Sequence, residues 1–258
     1  MKIYQIIIAC LFLGSQVSFA QNARFTNQGV IEYEKKINMY ALIKEQVKKN
    51  PNVNYYAQAF EDYQKKNPQF KVLKSTLKFS KEQALFTPSD DDAVISNSFF
   101  DFESAAQNNI ISTNTLAGTS IAQKTVFEET YLLKDSTRKI NWKITDEIRN
   151  IAGYDCRRAN ALIMDSIYVV AFYTEEIPVS GGPETFSGLP GMILGVALPY
   201  EHITWFATSV LDQPITDDKL KAPTKGKPVD SKQLTTILKA ATKDWGNWGQ
   251  DALKAFLL

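Results

Sequence analysis

The sequence predicts a mainly antiparallel β fold of the α+β class, a curved sheet or half-barrel with helices packed against it. Three observations carry this prediction. Short runs alternating apolar and polar residues recur between Ser120 and Val210, at about the 8–12-residue spacing of an antiparallel β domain. Helical spacing is confined to two regions, about 40–66 and about 230–257. The 258 residues are 44% hydrophobic and 22% charged, which is globular usage and enough chain to bury a core without staples.

Residues 29–39 give the first strand, with Ile31 and Tyr33 alternating against Glu32 and Glu34. Tyr56, Ala59, Phe60 and Tyr63 then stand at i, i+3, i+4 and i+7, one face of a helix. Asn50-Pro51 divides this region into two short helices. Phe70–Phe79 and Gln83–Thr87 suit a hairpin turning at Ser80-Lys81-Glu82. Residues 88–118, rich in Ser, Asn and Asp, read as a long mobile connection. Strands follow at about 121–133, 138–145, 148–152, 155–164, 167–174, 192–198 and 203–210, many of them β-branched or aromatic. Residues 212–228, with three prolines and four lysines, read as a linker. Asp230 or Ser231 caps a helix whose face is Leu234, Ile237, Leu238 and Ala241. Gly246 and Gly249 interrupt it, and Asp251–Leu258 add a last amphipathic turn or two.

Residues 1–20 read as a secretory leader. Lys2 supplies the positive start and Ile3–Gly14 the apolar stretch. Ser18-Phe19-Ala20 places small residues before a cut ahead of Gln21. The apolar stretch falls short of the ~20 residues of a spanning helix. Ile7-Ile8-Ala9-Cys10 loosely resembles the box before a lipidated cysteine, but cutting there leaves an apolar region of only about seven residues. Cleavage after Ala20 is the expected event, leaving 238 of the 258 residues as one domain, 21–258. That mature chain is formally neutral, with one cysteine, Cys156, and one histidine, His202. An intramolecular disulfide and a Cys/His metal cluster are both excluded. So is the charge signature of a generic nucleic-acid binder, since 29 basic residues meet 28 acidic ones. No further segment approaches membrane-spanning length. No P-loop, dinucleotide fingerprint, HExxH or GxSxG motif is present, and no cofactor is expected.

Residues 178–199 hold four of the ten prolines and five of the twelve glycines. Such a concentration specifies one loop path tightly. Pro190-Gly191 predicts a type II turn with Gly191 at positive φ, pinned by Leu189, Met192, Ile193 and Leu194. The run Gly188-Leu189-Pro190-Gly191-Met192-Ile193 resembles the hexapeptide of the GLPGLI family of secreted Bacteroidota proteins, with Met192 replacing leucine. Gly153-Tyr154-Asp155-Cys156-Arg157-Arg158-Ala159 is similar to the family's Gly-Tyr-x-Cys-x-x-Ala strand. The segment from Ala171 to Pro178, with Tyr173 and Thr174, is similar to its Ala-Trp-Tyr-Thr-x-x-Ile-Pro stretch, with Phe172 in place of tryptophan. Gly182, Pro183 and Phe186 also fall where the family places them. The resemblance implies export to the periplasm or outer membrane, often beside TonB-dependent receptors. It implies no established activity.

Few residues offer chemistry. Cys156 needs a base to act as nucleophile, and only His202 is available; burial is the simpler reading of a lone cysteine. In an alternating strand Arg158 would share its face, making Arg158 the more relevant charge. Asp90-Asp91-Asp92 lacks the EF-hand spacing and reads as a solvated loop. Glu175 and Glu176 face opposite ways in a strand, although Glu184 could approach them through the loop. The tryptophans and tyrosines read as core rather than as a groove. The lysine-rich 219–232 stretch reads as a solvated approach to a helix. Three functions follow in order. The first is a non-enzymatic envelope protein that binds a partner, such as a TonB-dependent receptor. The second is a periplasmic carrier of a lipid or other hydrophobic ligand, which requires a continuous apolar cavity. The third, an enzyme pairing Cys156 with His202, requires the two to be adjacent.

Overall fold

The computed structural model describes residues 25–50, 54–89, 100 and 102–258. Residues 1–20, read above as a leader, with Cys10 among them, and the Asp90-Asp91-Asp92 run lie outside the described residues. Twelve strands form one open, curved sheet. They are β1 (Gly29–Asn38), β2 (Phe70–Phe79), β3 (Gln83–Pro88), β4 (Ile110–Asn114), β5 (Thr119–Val126), β6 (Glu129–Ser136), β7 (Lys143–Ile151), β8 (Tyr154–Ile163), β9 (Ile167–Thr174), β10 (Met192–Leu198), β11 (Ile203–Leu211) and β12 (Lys227–Val229). Helices α1 (Met39–Lys49) and α2 (Asn54–Lys66) lie between β1 and β2 in the chain, and α3 (Ser231–Thr242) and α4 (Gly246–Leu257) follow β12. The α+β, mainly antiparallel class read from the sequence is what the chain adopts.

The spatial order is β12-β6-β5-β4-β3-β2-β1-β11-β10-β9-β8-β7. Every neighbouring pair is antiparallel except β12 with β6. β6 stands second from one edge and β7 is the opposite edge, yet only residues 137–142 join them. In a flat sheet the ten intervening steps, at about 4.8 Å each, would separate them by about 48 Å. The connecting residues span at most about 25 Å. The sheet must therefore curl until its two ends approach. Trp142 on this crossover donates its indole N–H to the Ser187 carbonyl at 2.9 Å, tying the crossover to the Gly/Pro segment.

Alternation places Ile31, Tyr33, Lys35 and Ile37 of β1 on the buried face. β10 is buried at every position but Ala197. The predicted helix face of Tyr56, Ala59, Phe60 and Tyr63 packs on this core. A smaller cluster of Val126, Tyr131, Leu234, Leu238, Ala252 and Phe256 seats α3 and α4 on β5 and β6. Asp230 caps α3 in a reciprocal box with Gln233. Asp135 of β6 also accepts from the Ser231 N–H at 3.1 Å, fixing the helix start to the sheet. These hydrogen bonds, with those from Ser136, hold the Asp135 carboxyl below its usual range.

Several boundaries differ from those read in the sequence. The 121–133 run is a hairpin, β5 and β6, turning at Phe127-Glu128 with Phe127 at φ 54°. No Gly, Pro or Asn marks that turn. Phe127 is held instead by the rings of Trp245 and Phe256, with centroids 5.2 and 5.1 Å away. The segments 138–145 and 148–152 merge into β7, whose register slips between Ile144 and Ile148; the polar residues Thr145-Asp146-Glu147 sit at that slip. Part of the supposed connection 88–118 pairs as β4, and the supposed linker 212–228 contains β12. Gly246, at φ 56°, stands at the break between α3 and α4, as read, whereas Gly249 lies within α4.

Tyr33 joins the central strand to the Gly/Pro segment. The β9–β10 register slips between Ile193 and Gly195, and the Ile193 carbonyl at the slip receives the buried Tyr33 hydroxyl at 2.6 Å. Tyr33→Phe leaves that acceptor buried without its donor. The expected loss is about 1–3 kcal/mol, read as a lower urea midpoint with an unchanged far-UV spectrum.

Candidate functional site

The Gly/Pro segment folds inward from the end of β9. Ile177 accepts the N–H groups of Val179 and Met192, Gly181 accepts that of Ile193, and Pro183 accepts that of Phe186. The Ser180 hydroxyl takes the Gly188 N–H at 3.0 Å. Pro183, Leu189, Met192 and Ile193 are buried, while Gly188, Pro178 and Pro190 are exposed. The predicted turn is corrected here. Gly188, not Gly191, has positive φ, at 93°. Gly191 is required for space instead, because a Cβ there would stand 2.0 Å from the Thr174 carbonyl oxygen.

This path carries Glu184 into the interior. Glu184 is buried and has φ 51°, a conformation that a residue with a side chain adopts only when its surroundings enforce it. Its Oε2 accepts from Asn109 at 3.0 Å. Two lysines from the sheet lie within its field. Lys35 of β1 donates to the Ala106 carbonyl at 2.6 Å and stands 5.0 Å above the Trp205 ring. Lys124 of β5 donates to the Phe256 carbonyl at 2.9 Å. Burial pulls each ammonium down to about 8, and Glu184 opposes that pull on both.

Lys124 and Glu184 border a cavity of about 410 Å³. Its apolar wall is built from β2, β3, β4 and the Gly/Pro segment by Leu77, Ala84, Phe86, Ile111 and Phe186. Arg138 of the crossover and the end of α4 complete it. The backbone oxygens of Phe256, Leu257 and Leu258 are taken by Lys124, Arg138 and Thr185. Cations here meet the negative end of the helix, a favourable arrangement.

The cysteine–histidine pair is not assembled. Arg157 pairs with Tyr173 and Thr174 with Met192, so Cys156 sits near the start of β10. His202 lies beyond the other end of that strand, about 20 Å away along it. His202 Nε2 meets Glu45 Oε1 at 2.9 Å instead. The Cys156 thiol contacts the Tyr154 carbonyl at 3.5 Å, and burial, reinforced by Asp155 and Glu176, pushes it up to about 12. Arg158 is not the charge beside it: the guanidinium binds Glu147 at 2.5 Å and Asn160 at 3.0 Å. Tyr173 is buried, its hydroxyl 3.4 Å from Glu175, and Thr174 accepts the Glu176 N–H. Glu175 and Glu176 are exposed, whereas Glu184 is buried against Asn109. Trp205 and Trp248 pack inside, stacked or tilted on Phe186 and Phe102. Among the described residues no acidic, Cys or His cluster is arranged to hold a metal, and no helix is long and apolar enough to cross a membrane.

Lys35, Lys124 and Arg138 were not singled out by the sequence reading. The lysines carry a signal nonetheless. Each occupies an inward position of an alternating strand, Ile31-Tyr33-Lys35-Ile37 and Ala122-Lys124-Val126, where an apolar residue is expected. Arg138 lies in a connection and has no such pattern.

Fold and site together describe a curled antiparallel sheet that closes on a mixed apolar and cationic chamber. A family model described as "Protein of unknown function (Porph_ging)" matches residues 162–195. The match is consistent with a GLPGLI-type Bacteroidota family and bears out the resemblance over the segment that holds Tyr173, Thr174, Pro178, Pro183 and residues 188–193; Tyr154 and Cys156 lie just upstream. No curated protein matches the chain. Among solved structures it is similar to PNGF-II in space group C2, with a TM-score of 0.51 and 15% identity over 88% of this chain and 33% of that one. PNGF-II in space group P21 aligns with a TM-score of 0.49 and 18% identity, over 82% and 33% respectively. The chain thus spans about a third of PNGF-II, and the likeness is one of fold.

Gly191→Ala forces a Cβ against backbone and is expected to lower stability by at least about 2 kcal/mol. Gly188→Ala meets only ordinary contacts with Trp142 and costs about 1 kcal/mol of backbone strain. Urea unfolding of the two variants should show that order. A second expectation concerns pH. In the unfolded chain each lysine keeps its proton to about 10.5, but Lys35 and Lys124 release theirs from about 8 when folded. Between those values the unfolded state binds more protons, so this contribution to stability rises with pH, by at most about 1.4 kcal/mol per pH unit per lysine. Cys156 acts oppositely above pH 9, where the unfolded thiol ionises first. Comparison with Lys124→Met cancels the cysteine. From about pH 7.5 to about pH 9.5 the wild type should gain stability relative to that variant, and a flat difference would contradict the buried ammonium.

Proposed function

We propose that this chain is an exported, non-enzymatic binding protein of the cell envelope that carries a hydrophobic ligand in the chamber of its curled sheet. One observation carries the reading: the interior is not filled, but leaves a cavity of about 410 Å³ walled by Leu77, Ala84, Phe86, Ile111 and Phe186. That volume lies within the range of small-molecule sites. The carrier reading required a continuous apolar cavity; this one is apolar along that wall and is also bordered by Lys124, Asp135, Arg138 and Glu184. An accessory role beside a TonB-dependent receptor rests on the family resemblance alone.

The test uses N-phenyl-1-naphthylamine, a neutral apolar dye that brightens on leaving water. The wild-type chain should bind it saturably, and a twelve-carbon alcohol should displace it. Ala84→Phe places a ring in the cavity and should weaken binding roughly tenfold, since the lost apolar contact is worth about 1–3 kcal/mol. Its thermal transition should persist. A wild-type chain that leaves the dye dark would sink the proposal, as would an Ala84→Phe variant that is folded and binds normally.

A further inference from the structure

We propose that the cavity takes an acyl chain bearing an anionic head, and that the Arg138 guanidinium receives the head. This rests on the reading of the cavity as a ligand site and names its ligand class. Arg138 projects from the crossover into the cavity wall. Its Nη2 donates to the Leu257 carbonyl. Its Nη1 is shut off from solvent and has no hydrogen-bond partner among the described residues. A buried guanidinium short of acceptors is costly, and an anionic head at the cavity wall offsets that cost through the delocalised charge.

The carboxylates at the wall are already engaged. Glu184 holds Asn109 and lies in the field of Lys35 and Lys124. Asp135 accepts the N–H groups of Ser136 and Ser231. Burial pulls the Arg138 guanidinium down. Lys124 donates to Phe256 and Arg138 to Leu257, and of the two Arg138 carries a buried nitrogen with no partner among the described residues. A planar guanidinium matches carboxylate and phosphate oxygens. Leu77, Phe86, Ile111 and Phe186 then face the chain, so the cavity is apolar along its wall and cationic at its crossover end.

The experiment competes dodecanoate, dodecyl phosphate and dodecanol against N-phenyl-1-naphthylamine on the full chain, its Arg138→Gln variant and its Arg138→Lys variant. In the wild type at least one anion should compete about tenfold better than the alcohol. Whichever anion does so identifies the head. Arg138→Gln should abolish that advantage and leave dodecanol unchanged, and Arg138→Lys should restore part of it. If Arg138→Gln loses its thermal transition, the wild-type ratio and the lysine variant decide. Equal competition by all three ligands in the wild type overturns the proposal but keeps the cavity as a ligand site. An equal loss for anion and alcohol in a folded Arg138→Gln also overturns it, since the arginine is then only an anchor for α4. A chain that never binds the dye removes both readings.

Discussion

A connection too short for a flat sheet governs this molecule. Residues 137–142 must reach from β6 to the far edge strand, and they can do so only if the strands between them wrap around. The wrapping creates an interior with two opposed walls. It brings Trp142 against Ser187 and places Arg138 beside the end of α4. The Gly/Pro segment then has a definite task, to fill one side of that interior along a path that side chains at Gly188 or Gly191 would disturb.

The interior is polarised by Lys35, Lys124 and Glu184. Three ionisable groups in one buried region are a poor way to gain stability, because desolvation offsets most of the attraction. Hydrogen bonds to Ala106, Phe256 and Asn109 satisfy part of their demand. These partners come from two parts of the chain, the segment just before β4 and the end of α4, so the charges also fix which segments meet inside the curl. The positive φ of Glu184 fits that role, since its carboxylate is directed inward by backbone geometry rather than by a flexible reach.

Much of the fold was legible in the sequence because alternation and helical spacing are local. The strand of Ile31 and Tyr33, the Tyr56–Tyr63 helix face and the Asp230 cap all follow from residues within a turn or two of one another. The Phe127 turn was not legible, since tertiary contacts with Trp245 and Phe256 replace the usual turn residues. β4 and β12 are too short to show a period. The site was legible only where composition is unusual, in the Gly/Pro cluster. Its cationic side depends on long-range pairing: nothing near Arg138 in sequence announces that Leu257 will arrive beside it. Lys35 and Lys124 fell between these cases, visible as breaks in an apolar alternation but not as partners of Glu184.

An open sheet has two free edges, and each has a bearing on how this chain behaves at high concentration. β12 offers three residues, and Pro228 among them lacks an N–H to donate. β7 is longer, but its register slip and the exposed charges Asp146, Glu147 and Arg149 spoil it as a template for another strand. Glu147 and Asp146 are further engaged sideways with Arg158 and Arg157 of β8. The curl therefore does not need to close into a barrel to keep its copies apart. Its two rims can stay unpaired without recruiting neighbouring chains into fibrils.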